Sequence, residues 1–224
     1  MHVVYTLIAL FFLNLSSNEV THEYIIFDVQ SEIDSSTASF IEPYKSILDA
    51  QMNEALIYNE QILRKGKPES LLGNWTADIC LEIAQKATPV LIDLSVFNNG
   101  GLRISSLQVG DITKRDIYQL MPFENELVIV KLNTEEFQEL IDYINTTGGQ
   151  PISISSTYNN EDSIYNVLTT DYLANGGDKM SFLKNKKQNK VGIKMRDAML
   201  SFCNDNDTIR AIFDNRHLKL INDN

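Results

Sequence analysis

A helix-patterned segment between two strand-patterned segments constrains the fold of this chain most strongly. Its apolar residues recur at the i, i+3, i+4, i+7 spacing of one helix face: Phe137, Leu140, Ile141 and Ile144. Asn133 and Glu136 precede them at the spacing of a capping box, which starts a helix. The flanking segments, 126–132 and 164–170, are rich in apolar and β-branched residues and predict strands. A fold that alternates strands with helices is therefore expected.

The rest of the chain continues this alternation. In chain order, the patterns predict a strand at 22–28, a serine-rich loop at 34–39, one or two helices within 40–63, a helix at 71–87, a strand at 90–97, a short helix after a capping box at 113–116, a helix at 194–203 and a short last strand at 217–221. Helices and strands interleave throughout. We therefore predict an α/β or α+β fold with a mixed sheet layered with helices.

Length and charge limit what the chain can do. At 224 residues and 43% hydrophobic composition, it is long enough for one well-buried core, and we expect a single domain over residues 22–224. The net charge of -11 opposes binding to nucleic acid, which depends on lysine and arginine displacing phosphate counterions. Two lysine-rich clusters, at 64–67 and 184–187, are most simply solvated surface, although either could receive one nucleotide.

The first residues resemble an export signal. Residues 3–15 are almost wholly apolar and are followed by Ser16, Ser17 and Asn18. The apolar run is too short to span a bilayer comfortably. We predict a signal peptide at 1–17 and therefore a periplasmic or extracellular protein, with a buried strand or helix as the alternative.

The two cysteines, Cys80 and Cys203, match no metal-binding or redox spacing. A zinc site needs more ligands than these two residues supply. We expect both to be small buried apolar residues. In an exported protein they could pair, and the sequence leaves that pairing open.

Two glycine-containing loops follow apolar runs and carry polar side chains. The first, at 97–103, contains Asn98 and Arg103 around a Gly-Gly pair, and the second, at 173–178, ends in Gly-Gly-Asp178. Glycine lets a backbone turn sharply and approach a ligand closely. Arginine offers a fixed fork of donors for phosphate or ribose oxygens, and a carboxylate suits a diol. The loops predict a small-molecule pocket, although Arg103 as a surface ion-pair residue and Asp178 as a turn former are the alternatives.

Five segments in order carry a more specific pattern. They are ESLLGNWTAD at 69–78, NNGGLR at 98–103, VGDIT at 109–113, LMPFENEL at 120–127 and TDYLANGGD at 170–178. Together they resemble the C-terminal domain of the 5'-nucleotidase family, the substrate-binding half of periplasmic and cell-surface nucleotidases and of UDP-sugar hydrolases. The resemblance implies one such domain, with its pocket on loops at one edge of the sheet.

The resemblance also implies roles for individual residues. Phe123 and Tyr172 would hold the base between two rings, Asn98 would contact the base or ribose, Arg103 would face the nucleotide and Asp178 would accept hydrogen bonds from the ribose hydroxyls. Stacking on a base contributes about 1–3 kcal/mol and tolerates different bases. The family usually has phenylalanine in place of Tyr172, so the added hydroxyl needs a partner. The alternative is that both rings are core aromatics.

The sequence departs from the family in two respects. Before the segment at 69–78 the family tends to carry one or two further substrate-facing arginines, whereas this chain has Arg64, Lys65 and Lys67 around Gly66. Lysine provides charge without the bidentate fork of arginine. Family members also normally begin with a metallophosphoesterase domain that holds two metal ions, and none of its motifs occurs in this sequence. Outside the leader only His22 and His217 occur, neither in a metal-binding pattern. We therefore predict no catalytic residue and no metal in this chain, and divalent metal ions only in a partner.

Three functions agree with these observations. The first is the nucleotide-recognising half of a 5'-nucleotidase-type hydrolase in nucleotide catabolism, acting with a separate metallophosphoesterase chain. The second is a module that binds nucleosides, nucleotides or nucleotide sugars without hydrolysis. The third is a structural or interaction domain in which Asn98, Arg103 and Asp178 only satisfy turns.

Overall fold

The computed structural model of the chain describes residues 34–222. The helices are α1 (Ser35–Met52), α2 (Leu71–Ala87), α3 (Lys114–Leu120), α4 (Thr134–Thr146), α5 (Asp171–Ala174), α6 (Met195–Asp205) and α7 (Arg216–Asn222). The strands are β1 (Ala55–Asn59), β2 (Leu63–Arg64), β3 (Leu94–Val96), β4 (Ser106–Leu107), β5 (Gly110–Thr113), β6 (Glu126–Asn133), β7 (Ile152–Ile154), β8 (Ile164–Thr170), β9 (Gln188–Lys194) and β10 (Thr208–Ile209). The expected leader and the strand at 22–28 lie outside the described residues. The chain divides into two units, 1–42 and 43–224, and the sheets, hydrophobic cores and pocket described below lie in the second unit.

A five-stranded mixed sheet, in the order β7-β3-β8-β6-β9, forms the centre of this unit. β3 and β8 are parallel, and the other neighbours are antiparallel. Both faces are covered, because alternate residues of β6 enter different cores. Leu127 and Ile129 pack with residues of α2 and α6, whereas Val128 and Val130 pack with residues of α4. The predicted mixed sheet layered with helices is confirmed.

Several helix predictions are confirmed with their starting signals. α2 covers residues 71–87 as predicted, and the Ser70 hydroxyl accepts a hydrogen bond from the Gly73 amide at 3.1 Å. The capping boxes at Thr113 and Asn133 both form, and they start α3 and α4. Local hydrogen bonding decided these boundaries, so the sequence was sufficient to predict them.

Three predictions are wrong. The expected loop at 34–39 is the start of α1, and the helical prediction for 40–63 fails after Met52, because 55–59 and 63–64 form β1 and β2. β1 is the middle strand of a small sheet, paired with β10 and β5, so backbone pairing with distant segments overrides its local pattern. The expected last strand at 217–221 lies in helix α7, which buries Leu220 in the core beside α4.

Cys80 and Cys203 are both buried and free. They lie in α2 and α6, and both belong to the same core. Burial raises the pKa of both thiols, that of Cys203 to about 12. These thiols therefore stay protonated and serve as packing groups, as predicted. Between residues 34 and 222, no helix is both long and apolar enough to cross a membrane.

Candidate nucleotide-binding site

One pocket, of about 290 Å³, lies where three loops of the large sheet meet. It is lined by Asn98, Gly100, Gly101, Arg103, Phe123, Asn125, Tyr172 and Asp178. β3 and β8 are neighbouring parallel strands, so the loops that follow them leave the same edge of the sheet. β6 runs antiparallel to β8 with Leu127 opposite Thr170, so the segment before β6 reaches that edge too. All five residues singled out from the sequence therefore line one pocket.

The loop after β3 needs glycine for steric reasons. Asn98 begins a turn of 3-10 helix at Asn99–Gly101, and its carbonyl accepts from the Gly101 amide at 3.0 Å. A Cβ atom at Gly101 would lie 2.8 Å from Oδ1 of Asn98, closer than side chains tolerate. The Asn98 amide group donates a hydrogen bond to the Asp178 carboxylate. The two predicted loops are thus joined by their own polar side chains.

Arg103 stands beside Phe123. Its backbone amide donates to the Leu120 carbonyl at 2.9 Å, and its Nη1 donates to the Gly100 carbonyl at 3.3 Å. The guanidinium carbon lies 5.9 Å from the centre of the Phe123 ring, within cation–π range. Among the ion pairs found within residues 34–222, none involves Arg103. The alternative role of a surface ion-pair residue is therefore not observed.

The two aromatic side chains are accessible. Phe123 is 41% exposed and Tyr172 is 47% exposed, and neither belongs to the hydrophobic cores. Phe123 lies in the segment before β6 and Tyr172 in the short helix α5, and both side chains line the pocket. The alternative that both are core aromatics is excluded by this exposure.

Two tyrosine hydroxyls hold the backbone of Asp178. The Asp178 amide donates to Oη of Tyr172 at 3.3 Å, and Oη of Tyr143, from α4, donates to the Asp178 carbonyl at 2.8 Å. Asp178 has a φ of +47°, a left-handed conformation that needs such support. Burial, with Asp178 and Tyr172 nearby, raises the pKa of Tyr143, so its hydroxyl remains a donor at neutral pH. The hydroxyl that Tyr172 adds thus has a partner within its own loop.

The sequence did not single out Asn125 and Tyr143. Asn125 lines the pocket two residues after Phe123, and it stands inside the LMPFENEL segment. Tyr143 lies outside all five family-like segments. Its role depends on α4 packing beside the loop after β8, which no local pattern indicates.

A second groove, of about 470 Å³, adjoins the pocket and shares Arg103 with it. Lys65 and Lys67 line this groove with Asn99. Nζ of Lys65 donates to the Leu102 carbonyl at 2.8 Å, and Nζ of Lys67 donates to the Thr147 carbonyl. The two amines are thereby held beside Arg103 and make the groove locally basic on an acidic protein.

Within 34–222, no group of three or more histidine, cysteine, aspartate or glutamate side chains could hold a metal ion. His217 is buried, and burial lowers its pKa. The described acidic and histidine side chains thus provide no metal centre beside the pocket.

The chain is similar in sequence to parts of several known nucleotidases. The family model described as "5'-nucleotidase, C-terminal domain" matches residues 50–159. A 5'-nucleotidase of Vibrio cholerae is 30% identical over 126 residues, which are 53% of this chain and 21% of that protein. The trifunctional nucleotide phosphoesterase YfkN of Bacillus subtilis is 25% identical over 187 residues, which are 67% of this chain and 13% of that protein. The chain thus corresponds to about a fifth or less of these relatives.

The fold also has solved counterparts. The crystal structure of a 5'-nucleotidase precursor from Thermus thermophilus aligns with a TM-score of 0.67 at 21% identity, over 81% of this chain and 42% of that chain. At this identity the alignment shows a shared fold. The family model itself shows that residues 50–159 of this chain belong to the 5'-nucleotidase C-terminal domain family.

Proposed function

We propose that this chain is the nucleotide-recognising half of a 5'-nucleotidase-type hydrolase. In this function Phe123 and Tyr172 hold the base between their rings, and Asn98 and Asp178 bind the base edge and the ribose hydroxyls. One observation carries the proposal: three segments that are distant in sequence bring the five residues of the family-like pattern to a single pocket. The names of the relatives, 5'-nucleotidase and nucleotide phosphoesterase, support a nucleotide as ligand.

The adjoining groove supports recognition of phosphate as well as nucleoside. Arg103 lines both spaces, so a nucleotide with its base in the pocket could direct its phosphate toward Lys65 and Lys67. Lysine is a point charge without the bidentate geometry of arginine. We therefore expect the phosphate to add affinity that is sensitive to salt.

Calorimetric titration with adenosine, AMP and UDP-glucose tests this proposal. The unmodified chain should bind at least one of them, and AMP more tightly than adenosine. Phe123→Ala or Tyr172→Ala should each weaken binding by about 5- to 150-fold, because a base stacked on an aromatic ring gains about 1–3 kcal/mol. Tyr58→Ala is the matched control, since Tyr58 is 45% exposed in β1 and does not line the pocket. Absence of binding to all three ligands would contradict the proposal.

We further propose that hydrolysis requires a separate metallophosphoesterase chain that supplies two divalent metal ions, and that the protein acts after export. A metal-supplemented phosphatase assay should show AMP hydrolysis only when such a chain is added. The Phe123→Ala variant should lose that stimulation, because it would no longer present the nucleotide. Hydrolysis of AMP by this chain alone would contradict the proposal that catalysis requires a separate chain.

A further inference from the structure

The segment 121–125 presents Phe123 and Asn125 to the pocket but belongs to no helix or strand. It connects the end of α3 to the start of β6. A connecting segment of this kind has no ladder of backbone hydrogen bonds to fix its conformation. Its shape must therefore be set by contacts from elsewhere in the fold.

One arginine supplies three of these contacts. Arg196, in the first turn of α6, has a side chain that is only 6% exposed. Its Nη1 donates to the carbonyls of Met121 and Phe123, at 3.3 Å each. Its Nη2 forms an ion pair with Glu124. A single guanidinium thus binds three residues of the segment, and one of them is Phe123, whose ring is exposed.

The neighbours of Arg196 strengthen the same attachment. The Met195 amide donates to the Asn125 carbonyl at 2.9 Å, and Nζ of Lys194 also pairs with Glu124. On its other side, the guanidinium carbon of Arg196 lies 4.3 Å from the centre of the Tyr118 ring, in α3. The arginine is therefore held between α3, α6 and the segment.

We propose that Arg196 is a positioning residue that holds the Phe123 ring in a binding-ready place, an inference that rests on the proposed function. A buried guanidinium is costly to desolvate, and its planar fork fixes the positions of the carbonyls it binds. A ring held in place before the ligand arrives spares the ordering cost of binding. Lysine at position 196 retains the charge but not the fork, so Arg196→Lys separates geometry from charge.

The first experiment needs no ligand. Amide hydrogen exchange is measured at 121–125 in the unmodified chain, in Arg196→Lys and in Glu124→Gln. Glu124 is largely exposed, so Glu124→Gln should fold normally even if Arg196→Lys does not. Exchange at 121–125 should accelerate about tenfold in both variants, because local opening becomes easier, while 171–178 is unchanged. Lys190→Met is the matched control, because Lys190 pairs with Glu126 on the neighbouring strands and touches none of 121–125. Unchanged exchange at 121–125 in both variants would overturn the inference.

The second experiment asks whether Arg196 acts through Phe123. Arg196→Lys and Glu124→Gln should each weaken AMP binding about tenfold in the unmodified background and have almost no effect in the Phe123→Ala background, since coupled residues give non-additive losses. Equal losses in both backgrounds would show a merely structural role and overturn the inference. If the unmodified chain binds none of the nucleosides or nucleotides, the proposed function fails, and the exchange measurement still decides the positioning role.

Discussion

At the scale of single residues, the candidate pocket depends on glycines, which have no Cβ atom. Gly177 lies against Tyr172, and a Cβ atom there would come within 2.5 Å of the Tyr172 ring and 2.6 Å of its carbonyl oxygen. Such an approach is far inside van der Waals contact, so Tyr172 can keep its place only if residue 177 lacks a side chain. The glycine is required by the close approach of its neighbour rather than by its own backbone angles.

Gly177→Ala is therefore expected to destabilise the protein by about 1–3 kcal/mol, the usual cost of overpacking, and to weaken nucleotide binding by displacing the Tyr172 ring. Urea unfolding and calorimetry measure the two effects. Gly66→Ala is the matched control for the unfolding measurement, because a Cβ at Gly66 would meet its nearest neighbour at an ordinary 3.6 Å. An unfolding free energy equal to that of the unmodified chain would contradict the steric explanation.

At the scale of elements, the residues at which helices begin are determined by local hydrogen bonds rather than by packing. The Asn133 side chain accepts from the Glu136 amide at 2.9 Å, and the Glu136 carboxylate accepts from the Asn133 amide at 3.0 Å. This reciprocal cap begins α4, the helix that brings Tyr143 to the backbone of Asp178. A short local motif thus determines where a site-supporting side chain lies along the chain.

Asn133→Ala should lower the free energy of unfolding by about 1 kcal/mol, because it leaves a helix-start amide without its partner. Chemical denaturation measures the change. Glu139→Ala, at an exposed position within the same helix, is the control and should stay within about 0.5 kcal/mol of the unmodified chain. A similar loss in both variants would indicate a general effect on α4 rather than loss of the cap.

At the scale of the whole molecule, buried polar contacts tie the C-terminal segment to α2. Glu69 accepts from the side chain of Asn74 at 2.7 Å and from the Asp214 amide at 3.1 Å. The buried Arg216 side chain pairs with Asp78 and Asp214. His217 follows directly and is 6% exposed. These contacts fix the C-terminal segment, including the buried His217, against α2.

The stability of the protein should fall as the pH drops below about 6.5, partly because of His217. Burial lowers the pKa of folded His217 below 6.5, although the Ile144 carbonyl and Glu69 partly oppose this. The unfolded chain then binds the proton more readily, so the stabilisation is complete above the unfolded pKa and decreases until the pH passes the folded pKa. Urea unfolding between about pH 7.5 and about pH 5 should show this slope, and His217→Gln should reduce it. A slope that survives the substitution would assign it to other groups.

Predictions succeeded where short-range contacts decide the structure. The capping residues Thr113 and Asn133 and the one-sided apolar pattern of α4 depend only on neighbours along the chain, and each was predicted correctly. The local pattern of residues 55–59 predicts a helix, but they form β1 because β5 and β10 supply backbone partners. Strand pairing of this kind is not encoded in a local pattern.

The amino-acid sequence by itself determined the residue types of the pocket, the glycines that admit close approach, the helix starts and the family-like order of the segments. Only the tertiary structure decided that β3 and β8 lie side by side in parallel, so that Asn98 and Asp178 meet although 80 residues separate them. It also decided that Tyr143 and Arg196 support loops to which no local pattern connects them. The physical reason is that these contacts form only after the sheet is assembled and distant elements are packed against it.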